Sequence, residues 1–156
     1  MAAQVSDPTV IEHVGRWWLF GTSRGRGVDH ALRVWRAPNL TGPWSIHLLD
    51  PAKMDGRSAR PAGTPFRFDD VLYRPSQDSS PRYGGRVVLN RVETMTLASY
   101  AERPVAAIGP HAGSPYPDGL HTLSAAGSRT LIDGNAIQFV PAAVSAELGH
   151  RLGRWT

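Results

Sequence analysis

Three segments of the chain share one layout, and this internal repeat limits the possible folds more than any other feature of the sequence. In each segment a polar residue opens a short strand, a tight turn follows, and a second, apolar strand runs back; the segments are residues 7–22, 60–78 and 121–134. The opening residues are Asp7, Arg60 and His121, which lie 53 and 61 positions apart. These periods are comparable to the roughly 40–50 residues of known propeller blades.

The sequence between the hairpins completes four-stranded units. Alternation of apolar and polar residues predicts strands at 31–37 and 44–48 in the first unit and at 85–92 and 105–108 in the second. Sixteen glycines and thirteen prolines, spread along the chain, fit many short strands with frequent turns. We therefore predict an all-β, propeller-like fold with about three blades. It would span 1–140, with blades at about 5–50, 58–110 and 118–140.

The C-terminal residues 141–156 form a different pattern. Val144, Leu148 and Leu152 recur at the i, i+4, i+8 spacing of a helix, which predicts a short helical tail. Three blades leave the ring incomplete, and unclosed sheet edges are prone to association. Two explanations remain open: another chain or self-association completes the ring, or the chain is a fragment of a longer ancestor.

Composition excludes several functional classes. The net charge of +4 comes from seventeen basic residues of which only Lys53 is a lysine. Because the arginines are scattered rather than gathered in a run, we expect no nucleic-acid partner. The absence of cysteine excludes thiolate chemistry, and His13, His30 and His47 lack metal-ligand spacing; we expect surface histidines and no cofactor. No apolar stretch approaches a membrane span, and the N-terminal ten residues lack a signal-peptide pattern, which predicts a cytoplasmic location.

The repeat also predicts which side chains share one end of the fold. In an antiparallel pair, the start of one strand and the end of the next lie together, so Asp7, Arg60 and His121 should ring one mouth of the central channel. The ends of the returning strands bring further polar residues to that mouth: Thr22, Arg74, Gln77, Asp78 and Asp133. An acid, a guanidinium and an imidazole at equivalent positions favour a ligand-facing role. The alternative is that Asp-Pro and Arg-Pro only start turns.

Several short motifs occur together in this order: Asp7-Pro8 with 15–20 (GRWWLF), 40–44 (LTGPW), 59–63 (ARPAG), 73–78 (YRPSQD), Tyr83-Gly84 and His121-Thr122. In this combination the chain resembles the propeller domain of the glucosamine inositolphosphorylceramide transferase N-terminal type, from residue 7 to residue 134. That domain resembles in turn the five-bladed furanosidase-type glycosidases. The resemblance implies a five-bladed propeller of which this chain matches the last three blades, and bacterial relatives in polysaccharide biosynthesis.

The resemblance implies a role with carbohydrate, and two hypotheses follow. In the first, the chain recognises a glycan or a glycolipid sugar headgroup, with Arg60, Arg74, Gln77, His121 and Asp133 binding it. In the second, it is a glycosidase-like hydrolase or a glycosyl-transfer enzyme with Asp7 and Asp78 as catalytic carboxylates. Glycosidases need two carboxyl groups flanking the bond. The only nearby glutamate, Glu102, is expected before an outer strand and paired with an arginine, which favours recognition for this chain.

Overall fold

The computed structural model describes residues 5–23, 30–80 and 82–138 of the chain, and these residues form antiparallel sheets. The first sheet, unit 1, has the order β1-β2-β3-β4, with β5 also pairing with β3. Its strands are β1 Val5–His13, β2 Arg16–Ser23, β3 Ala31–Ala37, β4 Ser45–Ile46 and β5 Lys53–Met54. The two short strands β4 and β5 pair with opposite ends of β3, so together they occupy the position of a fourth strand.

The second sheet, unit 2, has four strands in the order β6-β7-β8-β9, and the third, unit 3, is the hairpin β10-β11. Their strands are β6 Phe66–Phe68, β7 Val71–Asp78, β8 Arg86–Met95, β9 Tyr100–Ile108, β10 Gly119–Ala126 and β11 Arg129–Asn135. Two four-stranded units and a begun third confirm the predicted all-β, incomplete propeller-like fold. The predicted helical tail at 141–156 lies outside the described residues.

Two strands differ from the sequence prediction. The strand expected from Arg60 to Phe68 is interrupted: a single bridge joins Pro61 to Ser76, and regular pairing resumes only at β6. The outer strand expected at 105–108 begins at Tyr100, so Glu102 lies inside β9 rather than before it. Proline in the first strand and a buried charge in the second override the alternation of apolar and polar residues. The periodicity of the sequence detects neither cause.

The apolar core lies between the units. One cluster joins Trp18, Phe20, Leu32 and Val34 of unit 1 to Leu72, Met95 and Tyr100 of unit 2. A smaller one joins Ala62 and Val87 of unit 2 to Leu120 and Leu123 of unit 3. Each sheet therefore packs its face against the next sheet, as blades of a propeller do, and the units depend on one another for a core. Within the described ranges, no helix is long and apolar enough to cross a membrane.

Candidate functional site

Two of the three repeat-opening residues lie in β-bulges at the same end of the sheets. The pairing of β1 with β2 shifts between Ser6 and Thr9, and Asp7 there has a left-handed backbone with φ of 50°. The pairing of β10 with β11 shifts between Leu120 and Thr122, which leaves His121 as the extra residue. Bulges re-aim a side chain out of the alternation of the strand. Both side chains are therefore free to point towards the neighbouring unit.

Arg60 connects unit 1 to unit 2 at this end, which we call the mouth. Its Nε donates to Oδ2 of Asp7 at 2.5 Å, and its Nη2 donates to the hydroxyl of Tyr83 at 3.3 Å. The guanidinium carbon lies 4.9 Å from the centroid of the Tyr83 ring, in cation–π geometry. Arg60 thus contacts a carboxylate and an aromatic ring from two different segments of the chain.

Tyr83 carries the connection on to unit 3. Its hydroxyl lies 2.8 Å from Nε2 of His121, and the two ring centroids are 5.0 Å apart. Nδ1 of His121 lies 3.3 Å from Oδ2 of Asp133. Asp7, Arg60, Tyr83, His121 and Asp133 therefore form one continuous chain of contacts across three units, which we call the mouth network.

Sequence reasoning did not assign Tyr83 to the site. Tyr83 lies between β7 and β8, outside the three hairpins of the repeat, so the alternation along the strands could not place its side chain. The adjacent Gly84 was the available signal: it has φ of 65°, and a Cβ there would lie 3.4 Å from the ring of His121. A tyrosine beside a glycine in a loop at the mouth end is the pattern that would have indicated this contact.

A cavity of about 550 Å³ adjoins the mouth network. It lies at the mouth end between the last residues of β9, the loop 109–118 and unit 3, and Asp133 lines it. Tyr116, whose side chain is largely exposed, and His111 lie on the same wall. The volume falls in the range of small-molecule sites, which is about 300–1,000 Å³.

Asp78 does reach the mouth end, but its carboxylate is fully engaged. Oδ1 accepts from the backbone N–H and the hydroxyl of Ser80, and Oδ2 accepts from Arg86 at 2.8 Å. Burial raises the pKa of Asp78, but the hydrogen bonds from Ser80 and Arg86 outweigh it and hold the pKa below its usual range. Such a carboxylate stays ionised, which is unsuited to a general acid.

Gln77 and Thr22, also expected at the mouth, are buried. The amide nitrogen of Gln77 donates to the carbonyl of Pro61 at 3.3 Å. Among the described residues, the Gln77 amide oxygen and the Thr22 hydroxyl have no hydrogen-bond partner. Both side chains are fully buried, so they do not present these atoms to a ligand at the mouth.

The structure places Arg74 in a buried cluster rather than in the mouth network. Its guanidinium, fully excluded from solvent, donates to both carboxylate oxygens of Glu102, at 2.8 and 2.6 Å, and to the carbonyls of Ser58 and Ala59. Lys53 and Tyr100 also donate to Glu102, at 2.9 and 2.5 Å. We call Lys53, Arg74, Tyr100 and Glu102 the buried ion-pair cluster.

The electrostatics of this cluster are those of a structural ion pair. Burial raises the pKa of Glu102, but the charges and hydrogen bonds of Arg74 and Lys53, with the Tyr100 hydroxyl, bring it below its usual value. Burial lowers the pKa of Arg74 and the Glu102 carboxylate raises it, with a net rise. The pairing of Glu102 with an arginine, expected from the sequence, is confirmed.

The histidines expected at the surface divide into two groups. His30 is exposed, whereas His47 is buried, where its Nε2 lies 2.8 Å from the carbonyl of Thr96 and its Nδ1 accepts the N–H of Leu49. His47 therefore joins unit 1 to unit 2. The expectation of a surface histidine was wrong there, because hydrogen bonds to both ring nitrogens allow the polar side chain to be buried. In the described part of the chain, no three His, Asp or Glu side chains are grouped as a metal site would require.

The sheets and the mouth network define a propeller-like protein with a polar mouth assembled from successive units. The chain belongs to the family described as Glucosamine inositolphosphorylceramide transferase 1, N-terminal, whose sequence profile matches residues 1–112. Relatives named "Glucosamine inositolphosphorylceramide transferase 1" are 38% identical over 104 residues in Oryza sativa subsp. japonica and 33% identical over 101 residues in Arabidopsis thaliana. These alignments cover 64% and 62% of this chain but only 14% and 13% of the relatives.

Two solved structures are similar to the chain in part. Bacteroides ovatus Xyloglucan PUL GH43B matches with a TM-score of 0.49 and 26% identity, over 84% of this chain and 23% of that one. A thermostable family-43 glycoside hydrolase matches with a TM-score of 0.40 and 19% identity, over 66% of this chain and 33% of that one.

Proposed function

We propose that the chain recognises a carbohydrate, a glycan or the sugar headgroup of a glycolipid, at the mouth. The observation that carries the proposal is the mouth network, which joins three units through the contacts of Asp7, Arg60, Tyr83, His121 and Asp133. Asp133, at one end of this network, also lines the adjoining cavity. The family and the name of its relatives, which refers to glucosamine and to an inositolphosphorylceramide, support a sugar as the ligand.

The chemistry of the mouth suits a polyhydroxylated ligand. Carboxylates accept hydrogen bonds from hydroxyl groups, a guanidinium donates up to five, and a histidine ring can do either. Tyr83 and Tyr116 are more than half exposed and offer aromatic faces. A rigid aromatic ring with a polar end supplies contact area and a hydrogen bond at the same place.

The same contacts favour recognition over hydrolysis. A glycosidase needs a protonated carboxyl group on one side of the bond and a carboxylate on the other. The Asp78 carboxylate is buried and ionised, and Glu102 is bound in the buried ion-pair cluster. Asp7 forms an ion pair with Arg60 across the boundary between units 1 and 2. This pair holds the Arg60 side chain in position and would also offer polar atoms to a ligand.

Binding can be measured by titrating the protein with glucosamine, myo-inositol, arabinose and their methyl glycosides, followed by backbone amide shifts. We expect at least one sugar to shift residues around Tyr83, His121 and Asp133 in a saturable way. Arg60→Gln should weaken it roughly tenfold or more, because hydrogen bonds to charged groups contribute about 1.5–3 kcal/mol. Tyr83→Phe, which keeps the ring, should weaken it by a smaller factor.

Arg129→Gln is the matched control, since Arg129 is an exposed arginine on β11 and the substitution makes the same change in charge. Equal loss in Arg129→Gln and Arg60→Gln would show that only net charge matters and would contradict the proposal. If the protein hydrolyses nitrophenyl furanosides or pyranosides and Asp7→Asn abolishes this activity, the hydrolase hypothesis would be established instead.

A further inference from the structure

A second polar cavity lies at the end of the sheets opposite the mouth. Its volume is about 350 Å³, and it lies between the β1–β2 hairpin of unit 1 and the β6–β7 hairpin and last residues of β8 in unit 2. Its polar lining residues are His13, Arg67, Asp70, Arg91, Glu93 and Thr94. Because β1 begins at the mouth and ends at His13, the length of the sheet separates the two cavities.

Among the described residues, neither arginine of this cavity forms an ion pair with a carboxylate. Arg67 donates to Nδ1 of His13 and, at 3.3 Å, to the carbonyl oxygen of Asp70, both uncharged acceptors. Over the described ranges, Arg91 forms no ion pair or side-chain hydrogen bond. Both arginines are exposed, and within the described residues neither is paired with a carboxylate, so N–H donors of both groups remain open to an anion.

The other titratable groups leave the cavity with a positive balance. Glu93 lies on the wall, but Nε of Arg103 holds its Oε1 at 2.6 Å and offsets its charge. Burial and the charge of Arg67 hold the pKa of His13 below its usual range, so the ring stays neutral and accepts the hydrogen bond from Arg67. Two guanidinium groups therefore face one remaining carboxylate, that of Asp70.

We propose that this cavity binds a phosphate group, with Arg67 and Arg91 as its ligands and the Thr94 hydroxyl as an additional donor. Arginine presents a planar fork of N–H donors that matches the oxygens of phosphate. The cavity is larger than a phosphate ion, so the remaining volume would hold the molecule to which the phosphate is attached. Because the site bridges units 1 and 2, its occupation would also hold the two units together.

The test titrates the protein with inorganic phosphate and with glucose 1-phosphate at constant ionic strength, followed by the amide shifts of His13, Asp70 and Thr94. We expect saturable shifts at these residues, and at least fivefold weaker binding in Arg91→Gln. Arg91 lies exposed on β8 and forms no side-chain hydrogen bond or ion pair within the described residues, so this variant should keep its fold. Arg129→Gln is the control of equal charge.

A second arm separates the sources of the phosphate. Vesicles of phosphatidylcholine with added phosphatidylinositol are compared with phosphatidylcholine alone, in the wild type and in Arg91→Gln. If the mixed vesicles retain the wild type but not Arg91→Gln, the site binds a lipid headgroup. If the protein binds glucose 1-phosphate but the vesicles do not retain it, the site binds a soluble phosphate. Absence of saturable shifts with every probe, or equal weakening in Arg91→Gln and Arg129→Gln, would overturn the proposal, and neither result bears on sugar binding at the mouth.

Discussion

At the scale of single residues, four non-glycine residues in the described part of the chain have a left-handed backbone: Asp7, Val14, Asp69 and Asp70. Asp7 lies in the bulge of β1, where the strained conformation turns its carboxylate to Arg60. Asp69 and Asp70 form the two-residue turn between β6 and β7, and aspartate tolerates this region better than most residues. Val14 has no such reason, because it is exposed and its branched side chain is poorly suited to positive φ.

Replacing Val14 should therefore stabilise the protein. Val14 and Gly15, with φ of 50° and 65°, form the turn of the β1–β2 hairpin, and Asn-Gly is the preferred pair for that turn. We expect Val14→Asn to raise the free energy of unfolding by about 1 kcal/mol, measured by urea denaturation. Val14→Ala, which keeps the left-handed penalty, should gain less; equal gains in both variants would show that the exposed apolar side chain was the cause.

The position of Asp7, Arg60 and His121 at one end of the sheets could be predicted from antiparallel pairing, although Arg60 lies outside the regular strands. Arg60 contacts Asp7 directly, and Tyr83 links Arg60 to His121. Arg74 also lies in a strand of the repeat, but its side chain direction depends on Glu102, 28 positions away. A long-range partner of this kind leaves no local pattern in one sequence.

At the scale of elements, unit 3 attaches to unit 2 through the interrupted segment before β6. The N–H of Leu123 in β10 donates to the carbonyl of Ala62 at 2.8 Å. Gly63 has φ of 126°, and a Cβ there would lie 1.9 Å from the carbonyl oxygen of Leu123. The close approach of the two backbones needs glycine at this position, which lies within the interrupted segment between Pro61 and Phe66.

Substitution of Gly63 tests this attachment. We expect Gly63→Ala to lower the free energy of unfolding by about 3 kcal/mol, because the methyl group meets backbone atoms that cannot move aside. Gly127→Ala is the matched control: Gly127 also has positive φ, at 60°, but a Cβ there meets nothing within 4 Å. Chemical denaturation should show a loss of only about 1 kcal/mol in the control; similar losses in both would mean that backbone strain, not the contact, dominates.

At the scale of the whole molecule, the buried ion-pair cluster joins unit 1 to unit 2. Lys53 comes from β5 of unit 1, and Arg74, Tyr100 and Glu102 come from unit 2. The cluster adjoins the apolar core, where the rings of Phe20 and Tyr100 are 5.9 Å apart. Removing one member leaves the others charged and buried, which costs far more than the loss of a surface pair.

We expect Glu102→Gln to lower the free energy of unfolding by about 3–5 kcal/mol at neutral pH. Glu93→Gln is the control, because it breaks an exposed pair with Arg103 and should change stability by less than about 1 kcal/mol. Urea denaturation of both variants gives the comparison. A small effect at Glu102 would mean that the units separate easily at this boundary.

The same pair predicts a dependence of stability on pH. The folded pKa of Glu102 lies below its ordinary value of 4.5, so its contribution is present above that value and is lost as the pH falls through the folded pKa. The difference in stability between wild type and Glu102→Gln should therefore shrink as the pH falls below 4.5. Denaturation of both proteins above and below this pH measures it; a constant difference would contradict the assigned ionisation.

The sequence by itself determined the antiparallel units and the equivalence of Asp7, Arg60 and His121, because strand alternation and turn residues act over short distances. Only the tertiary structure decided how the units meet. It placed Tyr83 between Arg60 and His121, enclosed Arg74 with Glu102, buried His47 against Thr96, and opened a second polar cavity at the far end of the sheets. These contacts join residues tens of positions apart, and their geometry depends on how one sheet face packs on the next.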